Sequence, residues 1–191
     1  MPRPRTRPRP NGFTLVEMMG ALLLVIVIGS LFLAAPRPSP RAEAGDAARR
    51  IRAMLTAALA EAELDGGEVI VRAEAVAAEG RSGRFLALSG PPGVMPEDDP
   101  AADWVELADG VVWRAGTASA DPAGVPTDGR VPGSVRCTAE ACETGAADHV
   151  VYFVGHARSA RVSWALVLTR ERAVQLFRWD ATSNTWKTEA P

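Results

Sequence analysis

From Phe13 to Ala35 the only polar or charged side chains are Thr14, Glu17 and Ser30. A run this apolar must be withdrawn from water. As a helix it extends about 34 Å at roughly 1.5 Å per residue, enough for a hydrocarbon layer of about 30 Å. The pattern therefore predicts a transmembrane helix over 13–35. The stretch before it, MPRPRTRPRPNG, carries Arg3, Arg5, Arg7 and Arg9 and no acid. Arginines beside a membrane segment favour the cytoplasmic side, so the expected topology is single-pass, with the bulk of the chain outside the cytoplasm.

Glu17 sits badly in such a segment. A carboxylate inside a membrane costs on the order of 2.5–3.5 kcal/mol and needs a partner, and no arginine or lysine lies in the run. Proteolysis could supply one. A cut between Gly12 and Phe13 creates an α-amine four residues before Glu17, within reach of the acid of its own helix or of a neighbour. The competing readings are an uncleaved signal anchor and a secretory signal cut in LFLAAP. A secretory core spans about 7–15 residues, shorter than Met18 to Ala35.

The six residues GFTLVE (12–17) resemble the type III signal of type IV pilins and type II secretion pseudopilins. The resemblance implies that a prepilin peptidase cuts after Gly12 and N-methylates Phe13. It also implies that Glu17 pairs with the amine of an adjacent subunit during filament assembly, and that the chain resides in a bacterial inner membrane with a periplasmic C-terminal domain. APRPSPR (35–41) places three prolines where the helix would continue, and proline removes a backbone donor and restricts the residue before it. The expected organisation is thus a cleaved leader (1–12), a transmembrane and filament-core helix (13–35), a Pro-rich break (36–41) and a periplasmic α+β domain (42–191).

Past the prolines, Ile51, Met54, Leu55, Ala58, Leu59 and Ala62 recur at helical spacing, the pattern of an amphipathic helix laid on a core. Asp46 is its expected cap and Gly66-Gly67 its expected stop. Strands are expected over 68–73, 84–89, 104–108, 111–116, 149–154, 161–168 and 173–179, ending in 185–187. Asp109-Gly110 reads as a hairpin turn between two of them, and DATSN (180–184) as a second. The loops 89–103 and 117–134 are long for connections inside a domain.

One hydrophobic helix, one amphipathic helix and an antiparallel β-sheet domain make the expected fold class α+β, of the pilin-like plan. More narrowly, 47–73 and 150–168 resemble the corresponding regions of H-type pseudopilins and FimT-like minor pilins.

Composition excludes more than it assigns. Four of the 21 basic residues lie in the leader, so the remainder is acidic against 23 Asp and Glu, which disfavours nucleic-acid binding through bulk charge. No phosphate-cradling GxxxxGK[ST], nucleophile elbow or HExxH zinc helix is present, so no catalytic residue, cofactor or metal is expected. Cys137 and Cys142 read as a disulfide closing a small loop, a pair kept oxidised more readily outside the cytoplasm. Zinc, with His149 and His156 added, is the weaker reading. Glu97, Asp98, Asp99 and Asp103 offer oxygens of the kind calcium takes, and read better as a solvated loop.

The expected function is that of a minor pseudopilin of a type II protein secretion system. Its implied partners are the major and other minor pseudopilins, the prepilin peptidase, the inner-membrane assembly platform with its ATPase, and membrane lipid. The alternative is a FimT-like minor pilin that binds DNA, for which Arg158, Arg161, Arg170, Arg172 and Arg178 beside Trp164, Trp179 and Trp186 would form the patch.

Overall fold

The computed structural model describes residues 14–33, 38–75, 83–91, 104–127, 132–145 and 147–189. The chain divides into two compact units, Met1–Arg37 and Pro38–Pro191.

The first unit contains helix α1 (Leu15–Leu33), 19 residues long. It opens on Thr14, whose carbonyl accepts the Met18 N–H at 3.2 Å. Nineteen residues at roughly 1.5 Å each give about 28 Å, short of a hydrocarbon layer of about 30 Å. Among the described residues no helix is long and apolar enough to cross a membrane. That finding corrects two expectations: the transmembrane helix over 13–35, and the single-pass inner-membrane placement with cytoplasmic N-terminus and periplasmic domain. The shortfall begins at Thr14, which is non-helical and sets the first helical residue at Leu15. Gly12, Phe13, Ala34, Ala35 and Pro36 lie outside the described residues.

The second unit is organised around α2 (Pro40–Asp65). Ser39 is extended and its Oγ accepts the Ala42 N–H at 3.2 Å, while Pro40 occupies the first helical position, where a missing N–H costs nothing. The expected cap, Asp46, lies well inside the helix and instead pairs with Arg49 at 2.7 Å. The Ser-Pro pair starts the helix seven residues earlier. Gly66 ends it in the left-handed region, φ 65°, and the Gly67 N–H reaches the Ala62 carbonyl at 2.8 Å, a glycine-terminated helix end.

Two antiparallel sheets flank α2, in place of the single sheet domain of the expected class. The first has the order β3 (Val105–Glu106), β2 (Arg84–Gly90), β1 (Glu68–Glu74), β5 (Val135–Cys137). The second has the order β4 (Val111–Trp113), β6 (His149–His156), β7 (Ser159–Thr169), β8 (Val174–Asp180), β9 (Thr185–Thr188). Asp109-Gly110 therefore does not close a hairpin. β3 pairs with β2 and β4 pairs with β6, so the turn hands the chain from one sheet to the other. Gly110, at φ 87°, packs on the His156 ring, and a Cβ there would lie 2.9 Å from a ring carbon.

The buried stripe of α2 (Ala44, Ala48, Ile51, Leu55, Ala58, Ala62) faces both sheets. Phe85 of the first sheet meets Tyr152 of the second edge-on at 5.7 Å and Trp113 at 6.1 Å. Alternation along β7 sends Trp164, Leu166 and Leu168 into this core. Ala165 lies on the opposite face with Phe153, Phe177 and Trp186. Residues 117–121 are strapped across that outer face: Thr117 Oγ1 accepts the Trp179 indole N–H at 3.2 Å and the Ala120 carbonyl that of Trp186 at 2.9 Å.

Candidate functional site

Glu17 lies in the first turn of α1 and its carboxylate is turned back on the helix start. Glu17 Oε2 accepts the Thr14 backbone N–H at 3.1 Å and the Thr14 hydroxyl at 3.2 Å, while Thr14 Oγ1 is 3.3 Å from the Glu17 backbone N–H. This is the reciprocal arrangement of a capping box, in which threonine and glutamate three residues apart satisfy each other's orphan donors. The negative charge also lies at the positive end of the helix dipole. Both side-chain bonds use Oε2, leaving Oε1 without a partner among the described residues.

The helix that Glu17 opens presents apolar side chains on every face. Leu15, Val16, Met18, Met19, Leu22, Leu23, Leu24, Val25, Ile26, Val27 and Ile28 are between 45 and 77% exposed. Apart from the helix's own backbone, nothing among the described residues lies within 4 Å of where Gly20 or Gly29 would carry a Cβ. A helix apolar all round is one whose covering layer belongs to something else.

Cys137 and Cys142 form a disulfide with Cα atoms 3.9 Å apart, both buried in the main core. The loop they close is tied down from outside. The Cys142 N–H donates to the Arg170 carbonyl at 2.9 Å, and Arg172 donates to the carbonyls of Ala139 (2.6 Å) and Leu59. Arg172, in the β7–β8 turn, thereby clamps the disulfide loop against α2. Its positive φ of 67° gave no signal in the sequence.

The two histidines are held apart, each by its own carboxylate. His149 Nε2 is 2.7 Å from Asp121 Oδ2, while Asp121 Oδ1 accepts the N–H groups of Ala123 and Val125, so this pair anchors the outer strap. His156 is fully buried with Nε2 2.6 Å from Glu43 Oε2. Among the described residues no group of three or more His, Cys, Asp or Glu could hold a metal ion. Glu97, Asp98, Asp99 and Asp103 lie outside the described residues.

The arginines expected to form one patch are divided. Arg170 pairs with Asp148 at 3.3 Å and Arg172 is spent on carbonyls. Arg158 contributes its backbone N–H to His156 Nδ1. Only Arg161 and Arg178 line a common cavity, with Trp164 and Trp179, while Trp186 packs on the outer face. A larger open hollow of about 580 Å³ beside His149, Arg170 and Phe177 holds no serine or cysteine nucleophile next to its histidine.

No family model, no curated protein and no solved structure matches the chain.

Proposed function

We propose that this chain is a minor, H-type pseudopilin of a type II protein secretion system, a non-enzymatic subunit that assembles into a pseudopilus and so drives protein export. The observation that carries the reading is α1, an apolar helix exposed on every face, in a chain whose other unit is a compact α+β body. Packing such a helix among those of neighbouring subunits removes its surface from water at about 25 cal/mol per Å². The GFTLVE signature at its start supports the same reading.

In this proposal a prepilin peptidase cuts after Gly12 and methylates Phe13. The amine of a neighbouring subunit then meets Glu17, whose Oε1 the capping box leaves free. Capping and pairing are compatible because they use different oxygens. The compact unit presents the surface specific to the major and other minor pseudopilins, and the assembly platform with its ATPase supplies the work.

The test is the mature N-terminus. In cells with active prepilin peptidase, sequencing and intact mass should give a chain beginning at methylated Phe13. A chain still beginning at Met1, or one cut near residue 35, refutes the proposal. Glu17→Ala should leave processing intact and reduce incorporation into the filament.

A further inference from the structure

Where the second sheet ends beside the first turn of α2, a cavity of about 180 Å³ is lined by Arg41, Arg161, Arg178, Trp164, Asp180 and Thr182. None of the three guanidinium groups has a carboxylate partner among the described residues. Several arginines elsewhere in the same unit are neutralised: Arg49 by Asp46 and Glu189, Arg84 by Glu74, Arg136 by Glu68. Asp180, the one acid on this wall, is already committed to Lys187 and to the Thr182 N–H.

Two donors on the lining residues, one of them on Arg178 itself, lack acceptors. Arg178 Nε and Trp164 Nε1 are both buried with no hydrogen-bond partner among the described residues, and Trp164 is only 4% exposed. Half-burying the Arg178 guanidinium without a counter-ion costs desolvation energy that a bound anion would offset. The start of α2, with Arg41 in its first turn, adds the positive end of a 26-residue helix dipole.

We propose that this cavity binds a phosphate group, held between Arg41, Arg161 and Arg178. Guanidinium forks match the oxygens of phosphate in paired hydrogen bonds. Three positive charges facing one acid that is already paired favour a dianion over a single carboxylate. The cavity admits one tetrahedral oxyanion, either free or as the head of a phosphate monoester. The site belongs to the second unit alone and does not depend on filament assembly.

Titration calorimetry on the full-length chain, held monodisperse in mild detergent because of α1, tests this with inorganic phosphate and, separately, glycerol 3-phosphate. Saturable binding of one equivalent is expected. Arg161→Gln and Arg178→Gln should each weaken it about tenfold, as removal of a charge-assisted hydrogen bond does. Arg170→Gln, whose guanidinium serves Asp148, should bind as the parent does. Arg161 is exposed, so its variant keeps the test valid if Arg178→Gln fails to fold. Tighter binding of glycerol 3-phosphate identifies an ester ligand, and tighter binding of inorganic phosphate a free anion. Heats no larger than those of sodium chloride at matched ionic strength overturn the proposal, as does unaltered affinity in Arg161→Gln. So does a single-stranded oligonucleotide that binds parent and Arg161→Gln equally while phosphate gives no heat.

Discussion

Removing the carboxylate of Glu43 should strand a proton donor in the core. His156 is fully buried, and its Nδ1 is 3.1 Å from the Arg158 backbone N–H, which can only donate. Nδ1 must therefore accept, and the ring hydrogen sits on Nε2, facing Glu43 Oε2 at 2.6 Å. Glu43→Ala leaves that N–H buried and unanswered, a loss of about 1–3 kcal/mol. Glu43→Gln keeps an oxygen acceptor and loses only the charge, so the smaller cost of about 1 kcal/mol follows from the difference between charge-assisted and neutral hydrogen bonds. Urea titration followed by tryptophan fluorescence at neutral pH measures both, with the midpoint shifting at unchanged slope. The reasoning also requires that Glu43→Ala and His156→Ala be strongly non-additive, because each removes the same bond. Equal midpoints for Glu43→Gln and Glu43→Ala, or additive single losses, would refute it.

Tyr152 is the chain's one tyrosine, and burial raises its pKa above the ordinary value near 10. Absorbance titration should therefore show no ionisation near pH 10 while the fold persists. The Tyr152 contribution to stability should be constant below that pH and fall above it, because there the unfolded state releases the proton while the folded state keeps it. Tyr152→Phe should be neutral or stabilising by up to about 1 kcal/mol, since the hydroxyl is buried with no partner among the described residues; a marked drop in melting temperature would count against this. Asp180 is held below the usual carboxylate range, chiefly by the Lys187 hydrogen bond and then by the Thr182 N–H. Its contribution is present above about pH 4 and lost as pH falls through the lowered value, so the β8–β9 hairpin should loosen in acid, with Asp180→Asn insensitive by comparison in Trp186 line shapes. Reducing Cys137–Cys142 should cost about 2 kcal/mol by the chain-entropy relation, read as a lower urea midpoint; no shift would mean that the Arg172 clamp alone holds the loop.

The local signals in the sequence located most elements. Spacing of Ile51, Leu55, Ala58 and Ala62 marks the buried face of α2, Gly66 marks its end, and strand alternation places Trp164, Leu166 and Leu168 on one face. What spacing does not carry is partnership between distant residues. Glu43 and His156 are 113 positions apart, and Asp121 and His149 are 28 apart. No periodicity links either pair. Asp109-Gly110 has the chemistry of a hairpin turn, but strands this short take their partners from packing, here the fit of Gly110 over His156 and the bond from Leu107 to Gly83. β5 has three residues amid Pro and Gly and no alternation to detect. Thr14-x-x-Glu17 carries the spacing of a capping box in the letters themselves, a local role for the acid that needs no cation in the apolar run.

The order in which the two sheets share the chain constrains how it can be made. After β1, β2 and β3 have emerged, β4 is already committed to the other sheet. β5 must then return to the first before β6 to β9 complete the second. Until Trp164, Leu166, Leu168 and Leu176 are synthesised, the apolar stripe of α2 has only half its cover. A nascent chain stopped near residue 140 would hold α2 with one side bare, so productive folding waits until β7 and β8 have been made, and the emerging polypeptide is a natural client for whatever shields greasy helices in the meantime.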